Sequence, residues 1–140
     1  EGIKQKPYMI KPNSDELTAV LTYKPEGIND YVEALRMFKA QGIHMPVVSL
    51  GRQGCLAALE DGVYRFTTPE VKVVNTVGSG DSFVAGCAAG MLRGLPPVEI
   101  IRLGMACGTA NTQFFETGWI TGEMVSKFLG MISYEKVSEI

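Results

Sequence analysis

The sequence predicts an α/β protein in which helices flank a layered β-sheet. Residues 46–51 form a continuous apolar run, which is typical of a strand buried on both faces of a parallel sheet. Two strand-like segments surround Asp61-Gly62, a dipeptide that favours a two-residue hairpin turn. Before and after these strands, apolar residues recur at helical spacing. A chain that mixes strands and helices in this order is expected to pack helices on a sheet.

The chain begins with one short strand and two helices. Residues 8–10 are apolar and predict the strand. Asn13 or Ser14 is expected to cap the next helix, because acidic residues fall in its first turn and apolar residues then recur at helical spacing. Asn29 or Asp30 is expected to cap a second helix with one apolar face. Both helices are therefore predicted to pack on a flat surface.

The rest of the chain predicts a hairpin, one more strand and three helices. The first of these helices is opened by the turn at residues 78–81, and it is apolar nearly all round. Such a helix is expected to be central and closely packed. The predicted strands cover residues 55–60, 63–67 and 71–74, and the helices run to about residue 93, over residues 98–115, and from residue 121 or 122 to residue 132.

Charge and composition argue against nucleic-acid and membrane partners. The 140 residues carry a formal net charge of −2, and Lys and Arg are scattered, so no basic surface for nucleic acid is predicted. The longest apolar run, residues 83–92, is interrupted by glycines and is shorter than the ~20 residues of a membrane span. No interior linker appears, and residues 1–140 are predicted to form a single domain.

The cysteines indicate the compartment. Cys55, Cys87 and Cys107 sit among apolar neighbours and have no C-x-x-C spacing. They are therefore predicted to be buried reduced thiols. Because reduced thiols persist in the cytosol, and because the start of the chain lacks the apolar core of a signal peptide, a cytoplasmic location is predicted.

A glycine-rich turn precedes the first of the three late helices. Gly78 and Gly80 let backbone N–H groups point toward one place, and the start of the helix adds about half a positive charge. This arrangement predicts an anion site, although a glycine-rich connection without a ligand would look the same. A dinucleotide-binding turn is disfavoured, since Phe83 stands where a third small residue is needed. A Walker A loop is excluded, because no Gly-Lys pair occurs in the chain.

Asp81 follows this turn directly. A carboxylate would repel a resting phosphate, but beside a phosphoryl group in transit an ionised Asp81 can accept a proton from an incoming hydroxyl. The helix dipole would help to keep it ionised. The other interpretation is structural, because an acidic residue in the first turn of a helix is a common stabilising choice. Spacing alone leaves both roles open.

The turn resembles the G-[AS]-G-D motif of the ribokinase-like, phosphofructokinase-B family of carbohydrate kinases, and two further motifs occur in family order. In that motif the aspartate is the catalytic base, which implies this role for Asp81 with Gly78, Ser79 and Gly80 as the anion hole. The amino-acid sequences of these motif segments most resemble those of tagatose-6-phosphate kinases and 1-phosphofructokinases. The resemblance implies a ribokinase-like sheet with flanking helices.

The second motif, K-P-N-x-x-E, matches Lys11 to Glu16. By resemblance, Lys11 and Asn13 contact the nucleotide, and Asn13 and Glu16 organise Mg²⁺ through water. A hydrated Mg²⁺ needs only one or two protein oxygens, so this is chemically sound. From the residues alone, Asn13 is a helix cap.

The third motif, S-L-G-x-x-G, follows the central strand and resembles the family's nucleotide loop. Ligands in open α/β sheets sit at the carboxyl ends of strands. Without the resemblance, this segment would be interpreted as a strand-to-hairpin turn. The residues that match are Ser49, Leu50, Gly51, Arg52, Gln53 and Gly54.

A later helix resembles the one that lines the adenine pocket, with Asn111 as the polar contact. Small residues around it would also serve helix packing, which remains an alternative for each of them. True ribokinases usually carry Asp where Asn75 stands, as part of a monovalent-cation site. This departure puts potassium dependence in doubt.

The resemblance implies an enzyme that uses ATP and Mg²⁺ to phosphorylate a ketohexose phosphate, either tagatose 6-phosphate or a fructose phosphate. The family's sugar-binding half and its β lid have no counterpart in these residues, so the chain is expected to be the C-terminal, ATP-binding half and to have little activity alone. Apolar surface left uncovered would favour self-association. The alternative is a non-catalytic nucleotide-binding or regulatory module of the same fold.

Overall fold

The computed structural model describes all residues from 1 to 140. The chain divides into two compact units, one made of residues 1–67 and 134–140 and the other of residues 68–133. This division does not test the predicted single domain, which remains a prediction.

A five-stranded sheet with two helices forms the first unit. The strands are adjacent in chain order, β1-β2-β3-β4-β5. In chain order the elements are β1 (Met9–Ile10), α1 (Ser14–Leu21), α2 (Ile28–Ala40), β2 (Met45–Ser49), β3 (Cys55–Ala58), β4 (Val63–Thr67) and β5 (Ser133–Ser138).

The strand β2 is buried, as its apolar run predicts, although β3 and not β2 is the middle strand of the five. It pairs in parallel with β1, where Met9 lies opposite Met45, but antiparallel with β3, where Val48 lies opposite Leu56. The sheet around β2 is therefore mixed, whereas its apolar run is typical of a parallel sheet. The physical reason is the short turn after β2, since a tight reversal of the chain brings the next strand back antiparallel.

The hairpin between β3 and β4 forms as predicted, but its turn lies one residue earlier. The Leu59 N–H donates to the Gly62 carbonyl over 2.9 Å, so that Glu60 and Asp61 are the central residues instead of Asp61 and Gly62. Gly62 instead provides space: a side chain there would overlap the Lys136 side chain.

Of the two predicted helix caps in this unit, one is confirmed. Asn13 is the N-cap of α1. The second helix begins earlier than expected, at Ile28, and its N-cap is Gly27. Asp30 does not cap it, because its carboxylate accepts a hydrogen bond from the Glu26 N–H at 2.9 Å, ahead of the helix. The helices cover a core that includes Leu17, Leu35, Phe38, Val48 and Leu56.

Three helices form the second unit: α3 (Ser79–Leu92), α4 (Pro97–Asn111) and α5 (Gly122–Leu129). Where α3 and α4 cross, glycines allow close approach, since a side chain at Gly104 would meet Cys87 Sγ and the Phe83 carbonyl. The predicted burial of α3 on all sides is wrong for this chain. Phe83, Gly86, Cys87 and Gly90 are buried, whereas Val84 is 47% and Leu92 is 91% exposed.

The strand predicted over residues 71–74 does not form. The N–H groups of Val74 and Asn75 both donate to the Thr112 carbonyl, at 2.8 and 3.2 Å. This segment thus attaches to the end of α4 instead of to a neighbouring strand. Its apolar residues follow a strand-like pattern, but a strand also needs a partner of matching length.

α4 ends at Asn111, four residues earlier than predicted, and Thr121 caps α5 by accepting the Met124 N–H at 3.3 Å. The strand β5 was not predicted. All three cysteines are free and buried, as expected. No helix in the structure combines the length and apolar character required to span a bilayer.

Candidate functional site

Asn13 and Glu16 form a reciprocal cap at the start of α1. The Glu16 N–H donates to Asn13 Oδ1 at 2.8 Å, and the Asn13 N–H donates to Glu16 Oε2 at 2.9 Å. This capping box satisfies two N–H groups that a helix start otherwise leaves unpaired. The structural interpretation of Asn13 is therefore correct, and it extends to Glu16. Both residues are exposed, and Glu16 Oε1 has no protein hydrogen bond.

The first unit brings two of the predicted motifs together. Asn13 and Ser49 form a parallel bridge, and the Ser49 N–H donates to the Pro12 carbonyl at 3.0 Å. The K-P-N segment and the S-L-G segment thus emerge side by side from the carboxyl ends of β1 and β2. This is the edge at which open α/β sheets bind ligands.

The loop after β2 has two glycines in left-handed conformations, and they serve different purposes. Gly54, with φ of 86°, packs against the hairpin so closely that a side chain would overlap the Phe66 carbonyl oxygen. Gly51, with φ of 57°, has no neighbouring atom within 4 Å of the place a Cβ would take. The Leu50 N–H closes the loop by donating to the Gly54 carbonyl at 2.8 Å. Only the Gly51 side of the loop is open to a ligand.

In the second unit, the turn at residues 78–81 starts α3 with unpaired N–H donors. Gly78 is the N-cap, with φ of 78° and no side chain to accept a hydrogen bond. The Ser79 N–H donates to the Thr76 carbonyl at 3.1 Å and the Ser82 N–H to the Gly78 carbonyl at 2.9 Å. The N–H groups of Gly80 and Asp81 have no acceptor in the protein. These donors lie at the positive end of the helix dipole, where a negative charge is stabilised.

The Asp81 side chain is exposed in the first turn of α3 and forms no hydrogen bond or ion pair with the protein. It is therefore not used as a cap. A carboxylate without a protein partner, next to unpaired N–H donors, is available to a substrate hydroxyl.

Asn111 is 1% exposed, and both ends of its amide are used. Its Nδ2 donates to the Val77 carbonyl at 2.8 Å, and its Oδ1 accepts the Gly118 N–H at 2.8 Å. An adenine contact would require the amide to give up one of these bonds. The predicted contact thus stays a prediction, while the observed role is to tie two loops together.

Asn75 and Thr117 belong to the same region and were not predicted as site residues. Asn75 Nδ2 donates to the Phe115 carbonyl at 2.8 Å, and its Oδ1 accepts the Val77 N–H at 3.0 Å. The Thr117 hydroxyl donates to the Val77 carbonyl at 3.3 Å. The only sequence signal for this region was the unusual Asn at position 75, because Thr117 lies in a loop without a pattern.

The predicted site residues thus fall into two groups. Lys11, Asn13, Glu16 and residues 49–54 belong to the first unit, whereas residues 78–81 and Asn111 belong to the second. In the first group, Asn13 and Ser49 form a bridge. In the second group, Asn111 bonds to the carbonyl of Val77, the residue before the turn.

Curated proteins with similar sequences are sugar-phosphate kinases by name. Tagatose-6-phosphate kinase from Staphylococcus epidermidis is 35% identical over 134 residues, which are 95% of this chain and 43% of that protein. 1-Phosphofructokinase from Bacillus subtilis is 35% identical over 129 residues, which are 92% of this chain and 42% of that protein. The chain thus spans less than half the length of these relatives.

Solved structures share the fold. Phosphofructokinase-2 from Escherichia coli, in complex with substrates and products, aligns with a TM-score of 0.81 and 28% identity over 87% of this chain and 40% of its own. A ribokinase is also among the structural matches. The expected ribokinase-like α/β architecture is confirmed. The model of the pfkB family of carbohydrate kinases matches residues 1–118, and the chain belongs to that family.

Proposed function

We propose that this chain carries the ATP-handling and catalytic-base part of a sugar-phosphate kinase. The reaction is transfer of the γ-phosphoryl group of ATP to a hydroxyl of a ketohexose phosphate, either tagatose 6-phosphate or a fructose phosphate. The observation that carries the proposal is the start of α3, where the Asp81 carboxylate has no protein partner and the N–H groups of Gly80 and Asp81 have no acceptor. The names of the relatives support the reaction class.

Asp81 acts as the general base. It accepts the proton of the sugar hydroxyl as the O–H bond breaks and the new O–P bond forms, while the bond between the γ-phosphorus and the bridging oxygen breaks and ADP leaves. ATP supplies the phosphoryl group when bound. Phosphoryl transfer has a loose transition state, so the main requirements are alignment and charge stabilisation. The N–H groups of Gly78 and Gly80, which have no acceptor in the protein, are the proposed donors of the anion hole, whereas the Ser79 N–H is bonded to the Thr76 carbonyl.

The nucleotide is held by the motifs of the first unit. Gly51, which is left-handed and open on one side, allows close approach of the backbone to phosphate. Asn111 is the predicted adenine contact, which its amide could make only by giving up its bond to the Val77 carbonyl or to the Gly118 N–H. The proposed binding residues are Lys11, Asn13, Ser49, Leu50, Gly51, Arg52, Gln53, Gly54, Gly80 and Asn111.

Mg²⁺ fits the residues at the start of α1. Asn13 and Glu16 present hard oxygen atoms, both residues are exposed, and Glu16 Oε1 is not used in the capping box. They would hold the ion through water, as Mg²⁺ dehydrates reluctantly. The ion neutralises phosphate charge when bound. Asn13 and Glu16 cap the start of α1 through their own hydrogen bonds.

The remaining parts of the proposal concern the rest of the protein. Since the chain spans 43% of its tagatose-6-phosphate kinase relative, we propose that the sugar phosphate is bound mainly by residues outside this chain and that these 140 residues alone turn over little. Exposed apolar residues on α3, such as Val84 and Leu92, favour self-association. The free, buried thiols support a cytoplasmic location.

The test is made in the full native polypeptide that contains these residues. Asp81→Asn removes the base and keeps the side-chain size, and we expect kcat to fall by about 10²–10⁴-fold while ATP affinity is retained. Glu123→Gln is the matched control, because Glu123 is also an exposed acid in the first turn of a helix, α5. It reports the loss of helix-dipole stabilisation alone. Unchanged turnover in Asp81→Asn removes Asp81 from the mechanism, and ATP binding without any turnover in the wild type favours a non-catalytic module.

A further inference from the structure

The carbonyl of Val77 is held by two side-chain donors. Asn111 Nδ2 donates to it at 2.8 Å and the Thr117 hydroxyl at 3.3 Å. Asn111 is 1% exposed, whereas Thr117 is exposed. The buried amide is the stronger constraint, because a buried polar group that loses its partner costs much more than an exposed one. The orientation of the peptide between Val77 and Gly78 is thereby fixed.

Without these two hydrogen bonds, the peptide between Val77 and Gly78 could flip. The chain has no cis peptide bonds, so the Gly78 N–H points away from the Val77 carbonyl across the peptide plane. Gly78 has φ of 78°, and glycine occupies positive and negative φ about equally well. A flip of the peptide therefore meets little steric resistance at Gly78 itself. It would exchange the direction of an N–H donor with that of a carbonyl acceptor.

The direction of the Gly78 N–H matters because this group lies at the start of α3. Gly78 is left-handed and directly precedes the right-handed start of α3, an arrangement in which successive N–H groups form an anion-binding concavity. The Gly78 N–H has no acceptor in the protein, like those of Gly80 and Asp81. A carbonyl in place of this donor would repel a phosphoryl group.

We propose that Asn111 is a positioning residue that locks the Val77–Gly78 peptide, so that the Gly78 N–H and not the Val77 carbonyl faces the phosphoryl group. The inference rests on the proposed function. Asn111 acts from the last turn of α4, which packs closely on the start of α3: a side chain at Gly108 would come within 3.0 Å of the Ser79 carbonyl. Its second bond, from the Gly118 N–H, prevents the amide from rotating.

Asn111→Asp is the sharpest test in the full native polypeptide. The new carboxylate keeps an acceptor for the Gly118 N–H but places an oxygen where Nδ2 donated to Val77, which drives the carbonyl away. We expect kcat to fall by about 10-fold to 10³-fold, as for the loss of one oxyanion donor. KM for the sugar phosphate should change little. Thr109→Val is the control, because Thr109 is a buried polar residue of α4 whose side chain has no hydrogen bond to the turn.

A second pair of variants tests the same inference if Asn111→Asp does not fold. Thr117 is exposed, so Thr117→Val removes the second donor to Val77 without disturbing a core, while Thr117→Ser keeps the hydroxyl. We expect a smaller loss of kcat in the Val variant and none in the Ser variant.

The crystal structure of each variant provides a readout that does not depend on turnover. The Val77–Gly78 peptide should be reversed, or present in two orientations, in Asn111→Asp and unchanged in Thr109→Val. An unchanged peptide in Asn111→Asp, or a kcat equal to that of Thr109→Val, overturns the inference. If the wild type transfers no phosphate, the proposed function fails, while the peptide orientation still decides whether Asn111 is the lock.

Discussion

Thr117 lies so close to Gly78 that position 78 has no room for a side chain. A Cβ placed on Gly78 would overlap Thr117 Cγ2, and Gly78 has φ of 78°. The glycine of the anion turn is thus required for two separate reasons, a left-handed conformation and the absence of a side chain. The two reasons can be measured independently.

Gly78→Ala should destabilise the protein by the sum of these costs. The left-handed conformation costs about 1–2 kcal/mol for a residue with a Cβ, and the overlap with Thr117 adds to it. Gly94→Ala is the control, because Gly94 has φ of 67° but no atom within 4 Å of the place of its Cβ. In a Thr117→Ser background, which lacks the offending methyl group, the cost of Gly78→Ala should approach that of Gly94→Ala. The free energies of unfolding in urea would show this, and an equal cost of Gly78→Ala in both backgrounds would contradict the contact.

Glu16→Gln separates the structural role of Glu16 from its proposed role toward Mg²⁺. Glutamine can accept the Asn13 N–H as glutamate does, so the free energy of unfolding should change by less than about 0.5 kcal/mol. The loss of charge should raise the Mg²⁺ concentration needed for half-maximal turnover of the full native polypeptide. Asp15→Asn, another exposed acid in the first turn of α1, is the control. Identical Mg²⁺ dependence in Glu16→Gln and the wild type would leave Glu16 with a capping role only.

Gly104→Ala should weaken the contact between α3 and α4. A Cβ at Gly104 would come within 2.5 Å of Cys87 Sγ and 2.8 Å of the Phe83 carbonyl, and overpacking of this kind costs about 1–3 kcal/mol. Gly122→Ala is the matched control, since Gly122 starts α5 in open space. We expect it to be neutral or slightly stabilising, because alanine favours helix. Thermal unfolding of both variants measures the difference, and a Gly104→Ala protein as stable as the control would mean that the helices can separate freely.

Tyr64 controls the titration of Asp61. The Tyr64 hydroxyl donates to Asp61 Oδ2 at 2.8 Å, which lowers the pKa of Asp61 below its ordinary value of 3.8. In Tyr64→Phe this pKa should rise toward 3.8, as measured by NMR of the carboxyl carbon. Because the folded state holds the carboxylate, the stabilisation is present above the unfolded-state pKa and is lost as the pH falls through the folded-state pKa. Tyr134→Phe, which changes a neighbouring ring without a bond to Asp61, should leave the titration unchanged.

Features that depend on neighbouring residues were predictable from the sequence. The cap of α1 joins Asn13 to Glu16, three residues apart, and such a pair forms wherever a helix starts there. The turn before α3 and the position of Asp81 in its first turn follow from the order Gly-Ser-Gly-Asp in the same way. The α/β class and the family motifs depend on patterns of this local kind, and both are confirmed.

Features that depend on distant partners were not predictable. Residues 71–74 have the composition of a strand, yet the N–H groups of Val74 and of the following Asn75 donate to the Thr112 carbonyl, just after α4. The strand β5 is mostly exposed and has no apolar pattern to mark it. In both cases the hydrogen-bond partner, and not the segment's own propensity, determines the backbone.

The sequence by itself determined the layered fold, the family and the glycine turn that places Asp81 in the first turn of α3, because periodicity, glycine and first-turn residues act over a few positions. Only the tertiary structure decided what Asn111 does, since the carbonyl it binds lies 34 residues away in the chain. A hydrogen bond over such a separation exists because α4 packs on α3. The spacing of residue types along the sequence does not predict that contact.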